Sequence, residues 1–394
     1  MALLPLTGRL FAAYWPVLFF WFLLQHVTHG PLLDASVQLG LFNRPLGFLG
    51  LAILVVVQLL CTIAMFQALR PGMSSLTQGG DGAGFRGNFA DAIAVALLPF
   101  FAYYATWGLL RDIVGQYSYE LLRHIAGLGR PGPLDIIKAP GLWVTIAITY
   151  VVRRISVNRH DRTKSPWWSI LATICEAYWV FLGVLAIASY RQMPWDWWHH
   201  RIVYVEWQRW WSNSRDVLGP LKRAMDPVLA LGMEGIRVAI LPLVWLAIAA
   251  IIYGHDVRAP GDLTESDERV TRLHARYARL PRLLRWIAET WSDGWRKKAL
   301  PVINSLRLML RAGLRPALAL CVCYVALQFV CSWAFRGAVW LIGPHDRDVW
   351  NVILGPLTLL VGDQSGQTRS LIQEPLRISL LAAAVEVTLR ENRK

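Results

Sequence analysis

Leu46–Phe66 reads LGFLGLAILVVVQLLCTIAMF, 21 residues without a charged side chain, closed by Arg70, Pro71 and Gly72. As a helix this run rises about 32 Å, enough to cross the ~30 Å hydrocarbon core of a bilayer. Further apolar runs, bounded by arginines or by Gly and Pro, lie at 10–24, 89–110, 139–152, 167–189, 236–253 and 316–335. The sequence therefore predicts an all-α, polytopic helical membrane protein, one membrane domain over 1–394 with seven transmembrane helices and interfacial amphipathic helices beside them. The run at 139–152 is the shortest and has Lys138 at its edge. Pro71–Asn88 is Gly-rich and polar and reads as a loop, and Pro99 is expected to kink the third span. Towards the C-terminus, Val349–Val361 is apolar but broken by Gly355 and Pro356, while Leu371–Leu389 carries Glu374, Arg377 and Glu386. The stretch 349–389 is read as a re-entrant segment or an eighth span.

Composition supports this class. Hydrophobic residues make up 55% and charged residues 17% of the chain, an excess of apolar surface over what a soluble core absorbs. Lys and Arg outnumber Asp and Glu by 40 to 26, and they favour the loops on the side that holds the N-terminus. That places the N-terminus in the cytoplasm of a multi-pass protein of the cell membrane, with anionic lipids as partners. The positive charge is spread over many loops without a basic module, which argues against nucleic acid. All five cysteines lie inside apolar runs and read as small hydrophobic side chains. Cys321 and Cys323, two apart on a helix, point about 160° away from each other and suit no shared metal.

Several clusters invite a functional reading. Between 195 and 215 tryptophans crowd together, and Trp197, His200, Tyr204, Trp207 and Trp211 recur at steps of three and four. On one helix they form an aromatic stripe suited to the headgroup region, an interfacial segment. The same stripe, with Arg201 and Arg209, is a candidate platform for a lipid headgroup or another ligand. At 262–298, Val270, Leu273, Tyr277, Leu280, Leu284, Ile287 and Trp291 make a heptad stripe opposite Arg272, Arg276, Arg279 and Arg282. This cytoplasmic amphipathic segment is expected to pack on the protein's own membrane domain, on the lipid surface or on a partner protein. Asp91–Pro99 and Glu234–Pro242 share five identities in nine positions at an offset of 143, a candidate internal repeat of the kind transporters carry.

Ionisable groups inside spans are costly and mark pathways. Glu176 is the clearest, about ten residues into the 167–189 run, with Gln58 and Gln328 as the amides expected to hydrogen-bond it. His26 and His29, with Asp34 beyond, do not complete a metal set at any diagnostic spacing. No Walker loop, dinucleotide fingerprint, nucleophile elbow or zinc motif occurs, so no cofactor and no metal are expected. The function expected is that of a non-enzymatic, transporter-like or assembly subunit. The alternative is a membrane-embedded transferase acting on a lipid-linked substrate, with Asp34 as its carboxylate and the Trp–Arg segment as its headgroup cradle.

Overall fold

The computed structural model describes residues 3–77, 109–125, 141–163, 166–190, 197–217, 314–363 and 369–392, with short pieces at 235, 241–246, 248–249 and 252–253. The described residues are 94% helical and include no strand. The helices are α1 (Leu3–Phe42), α2 (Arg44–Leu69), the single turn α3 (Ser74–Thr77), α4 (Leu109–Ile125), α5 (Gly141–Thr163), α6 (Pro166–Tyr190), α7 (Ile202–Val217), α8 (Leu314–Ile342), α9 (Arg347–Val361) and α10 (Gln373–Asn392), with a 3-10 turn at Arg70–Gly72. The expected spans at 89–110 and 236–253, the 262–298 segment and both copies of the candidate repeat lie largely or wholly outside the described residues.

Three of the described helices are long and apolar enough to cross a membrane, at Leu3–Phe42, Arg44–Gly72 and Ala317–Ile342, fewer than the seven expected. The 139–152 run falls in α5, but that helix continues through Arg153, Arg154, Arg159 and Arg162, and its charge removes it from this group. The 167–189 run forms α6, whose apolar part is the shorter Ile170–Ala186. The first span does not end at Gln25 and His26 as its polarity suggests. Gln25 is buried and His26 exposed, and a polar side chain of either kind leaves the backbone ladder intact, so α1 continues to Phe42.

A one-residue corner joins α1 to α2. The Asn43 backbone is extended, its amide donates to Leu39 O (2.8 Å), and its carbonyl accepts from Leu46 (3.0 Å) and Gly47 (3.2 Å). Pro45 sits in the first turn, where its missing N–H costs nothing. The two helices then lie against each other in a fixed antiparallel register. A Cβ on Gly47 would stand 2.7 Å from Gly40 Cα, and one on Gly50 would stand 3.0 Å from Ser36 Cα. Such close backbone approach requires small residues, as in the small-xxx-small pairs of membrane helices. Further along the same register, Gly72 meets Leu10 and Tyr14 of α1.

Tyrosines clamp the corner from outside. Tyr117 of α4 is buried with its hydroxyl over Gly40 and Gly47, and Tyr178 of α6 donates to Pro45 O (2.7 Å). Phe181 then meets Phe48 at 6.5 Å between ring centres, so α6 runs parallel to α2. The α5–α6 pair is antiparallel, held by Tyr150 against Trp179 at 6.3 Å.

The C-terminal helix is the most enclosed. Ile378, Leu380, Leu381, Ala382, Ala383, Ala384 and Val385 of α10 are all buried, and α10 touches α1, α2, α3 and α8. Its alanine run lets neighbouring helices approach on several sides at once.

Replacing Gly47 with Val forces α1 and α2 apart at a backbone contact that has no slack. Thermal unfolding in detergent is expected to show a loss of about 1–3 kcal/mol. A Gly8→Val control, at a position with open space around it, is expected to remain close to wild type.

Candidate functional site

Among the described residues, polar groups meet in four places, each set by helix register. The first crosses α1, α2 and α4. The Gln58 amide nitrogen donates to His29 Nδ1 (2.9 Å), and His29 Nε2 donates to Gln116 Oε1 (3.2 Å). In this arrangement Nδ1 accepts and Nε2 donates. His29 and Gln58 each stand eleven residues, about 16 Å, from Gly40 and Gly47, so the register fixed at the glycines also pairs these two side chains. Gln116 is exposed, His29 half-buried and Gln58 buried, so the string leads from the surface inward. Gln25 is buried one turn before His29 on the same helix face, and its Oε1 has no hydrogen-bond partner.

The second place holds Glu176, the sharpest candidate in the sequence. Its Oε2 lies 3.3 Å from Arg153 Nε of α5. The two residues stand ten positions either side of the α5–α6 turn, 153 before the end of α5 at 163 and 176 after the start of α6 at 166. Of the two expected glutamines, Gln58 donates to His29 and Gln328 is half-buried on α8. The offset of 133 that joins Tyr178 to Pro45 also places Glu176 level with Asn43, at the corner and not midway along α2.

The third place is a clasp beyond the Arg70 end of α2. The Glu386 carboxylate is fully buried and accepts from Ser74 Oγ (2.9 Å), the Ser75 amide (3.1 and 3.2 Å) and Arg390 Nε (2.8 Å). Arg390 Nη2 also donates to Ser74 Oγ (2.8 Å). The carboxylate thereby serves an amide at the start of α3 that lacks a helical acceptor. Burial alone would push Glu386 up. The hydrogen bonds from Ser75, Ser74 and Arg390 outweigh it and hold this carboxyl below the ordinary glutamate range. The fourth place lies at the other end of α10, where Glu374 pairs with Arg377 and the Arg377 guanidinium stacks 4.4 Å over the buried Trp245 ring.

The aromatic segment is differently organised from the single stripe expected. Helix α7 starts at Ile202, where the Arg201 carbonyl accepts from Tyr204 (3.0 Å) and Val205 (3.0 Å), and Trp197 and His200 precede that start. Tyr204, Trp207 and Trp211 belong to the helix. Trp197, Trp207 and Trp210 are exposed. Both arginines are engaged locally, Arg201 over the Trp197 ring at 3.9 Å and Arg209 with Glu206 at 2.9 Å. Asp34 is exposed on α1. Among the described residues no three His, Cys, Asp or Glu side chains gather as a metal site would require.

The chain matches no family model, no curated protein and no solved structure. Function is therefore argued from the site itself.

Two outcomes follow from these pairings. Arg153→Ala leaves the Glu176 carboxylate buried beside α5 and is expected to cost roughly 3 kcal/mol in detergent unfolding. The double change Arg153→Met with Glu176→Leu should recover most of that loss, and equal losses in both would show that the pair is not the source. For the clasp, the depressed Glu386 gives stability that is complete above the ordinary glutamate range and lost as pH falls through its lower folded value. Wild-type Tm is thus expected to drop on acidification below about pH 4, while Glu386→Gln starts lower at neutral pH and shows a shallower drop.

Proposed function

We propose that this chain is a non-enzymatic, transporter-like protein of the cell membrane, and that the Gln58–His29–Gln116 string is the part of it that handles a proton. The reading rests on one observation, an imidazole held between two amides from two other helices, with the buried acceptor Gln25 Oε1 one turn away on the same helix. Imidazole is the side chain that exchanges its proton readily near neutral pH. A proton arriving on Nδ1 needs only that the Gln58 amide turn its oxygen toward the ring, while Nε2–H keeps its bond to Gln116. Glu176, the position that polarity alone favours for such a step, stands beside a permanent cation at the corner and suits structural pairing better.

A multi-pass arrangement with a cytoplasmic N-terminus and anionic lipids around the basic loops fits the charge distribution of the chain. Exposed Trp197, Trp207 and Trp210 suit the headgroup layer.

Proteoliposomes with an entrapped pH dye test the reading. Under an imposed proton gradient, wild-type vesicles are expected to equilibrate faster than protein-free vesicles. His29→Gln, which retains hydrogen bonding but carries no titrating proton, should reduce the rate to the protein-free level at equal protein content. Wild-type vesicles no faster than empty ones, or a His29→Gln rate equal to wild type, would sink the proposal.

A further inference from the structure

We infer that α9 is a re-entrant half-helix whose C-terminal tip inserts into bilayer hydrocarbon beside α8. Its charges stand only at the entrance, with Asp346 as the N-cap residue and Arg347 and Asp348 in the first turn. From Val349 to Val361 there is no charge, and Asn351 and Thr358 are the only polar side chains. These 13 residues rise about 20 Å, too little to cross a ~30 Å core. None of the helix is buried in the protein. Val352 is 73% exposed, and the apolar surface continues onto Trp340 and Leu341 at the end of α8, 80% and 77% exposed. A cover of hydrocarbon is continuous with the exposed face of a helix that is itself long and apolar enough to span.

Two further observations separate insertion from a helix lying flat. Three carbonyls of the last turn have backbone partners. The Thr358 carbonyl accepts from Gly362 (2.9 Å), Leu359 from Leu371 (2.8 Å) and Leu360 from Ile372 (3.3 Å), while Thr358 Oγ donates to Leu354 O (2.8 Å) beside the Pro356 break. Terminal carbonyls in water need no such partners, whereas in hydrocarbon each one left alone costs several kcal/mol. The tip also stands beside the apolar interior. Leu359 and Leu371 pack on the hydrophobic core. The chain thus enters at a charged end, descends as an apolar helix and returns with its backbone bonded to itself.

Nitroxide labelling measures the depth. Single cysteines at Val349, Val352 and Leu360, in a chain whose five native cysteines are replaced by alanine, are labelled and reconstituted in phosphatidylcholine–phosphatidylglycerol liposomes. The ratio of oxygen to nickel-chelate collisions should climb from 349 through 352 to 360. Equal ratios would mean a helix lying flat, high nickel access at 360 a helix in water, and low collision with both agents a protein cover, and each of these overturns insertion. Wild-type protein gives an independent reading with a lipid-dissolved diazirine, which should label 352–361. Absence of label there also overturns the inference.

Discussion

The close antiparallel contact between α1 and α2 governs the rest of the molecule. A Cβ at Gly47 or Gly50 would stand within 3.0 Å of the α1 backbone, and one at Gly40 or Gly47 would meet the Tyr117 hydroxyl, so the crossing accepts no larger residue at these positions. Dispersion contacts between close backbones are the main attraction available once hydrocarbon removes any solvent-driven term. The register they impose decides which polar groups meet further along. His29 faces Gln58 because both stand eleven residues from the glycine contact, and Gly72 comes to rest against Leu10 and Tyr14 by the same rule. Tyr117 and Tyr178 transmit this geometry outward, for each reads the corner with a hydroxyl and so aligns α4 and α6 on it. Arg153 and Glu176 inherit their level from that alignment.

Helix α10 resolves a second conflict. A buried charge costs several kcal/mol unless paired and hydrogen-bonded, yet the most enclosed of the described helices carries Glu374, Arg377, Glu386 and Arg390 near its ends. The spacing removes the difficulty. Glu374 with Arg377 and Glu386 with Arg390 pair along one helix face at i,i+3 and i,i+4, each reinforced by a neighbour, Trp245 at one end and Ser74 and Ser75 at the other. Between them Ile378–Val385 is free of charge and sheltered by α1, α2 and α8. Ion pairs at the two ends also define how far α10 slides along its neighbours, which an alanine surface alone leaves loose.

Legibility in the sequence followed the range of the interactions. The apolar runs at 46–66 and 316–335 were readable because hydrophobic length is local. The all-helical class followed from the same periodicity. The extent of α1 was not readable, since Gln25 and His26 look terminal when the helix bearing them is not seen to continue. Glu176 stood out as a carboxylate in an apolar run, but its partner lies one residue beyond the expected 139–152 span, and only the α5–α6 register brings Arg153 to it. Gln58 was equally visible and its partner equally hidden, because the 29-residue separation from His29 becomes a contact only through the corner at Asn43. The charges of α10 counted against burial when averaged over a window, and they count for it once their pairing is known.

Apolarity in this chain has two physical causes. The candidate span in α2 is 72% buried inside the protein, whereas those in α1 and α8 are only 22% and 28% buried. A helix enclosed by its neighbours is apolar because the protein core requires it, and the same run suits a protein in water. Helices that present Trp15, Phe20 and Val27, or Val322, Phe329 and Val330, to the outside are apolar for another reason. Exposed apolar surface of that extent costs free energy in water in proportion to its area. The requirement for a membrane therefore rests on α1 and α8, the partly covered helices, and not on the most apolar run from which the sequence is first read. Their exposed faces are the surfaces that suit hydrocarbon, and the α1–α2 register sets where His29 and Gln58 stand relative to the face of α1.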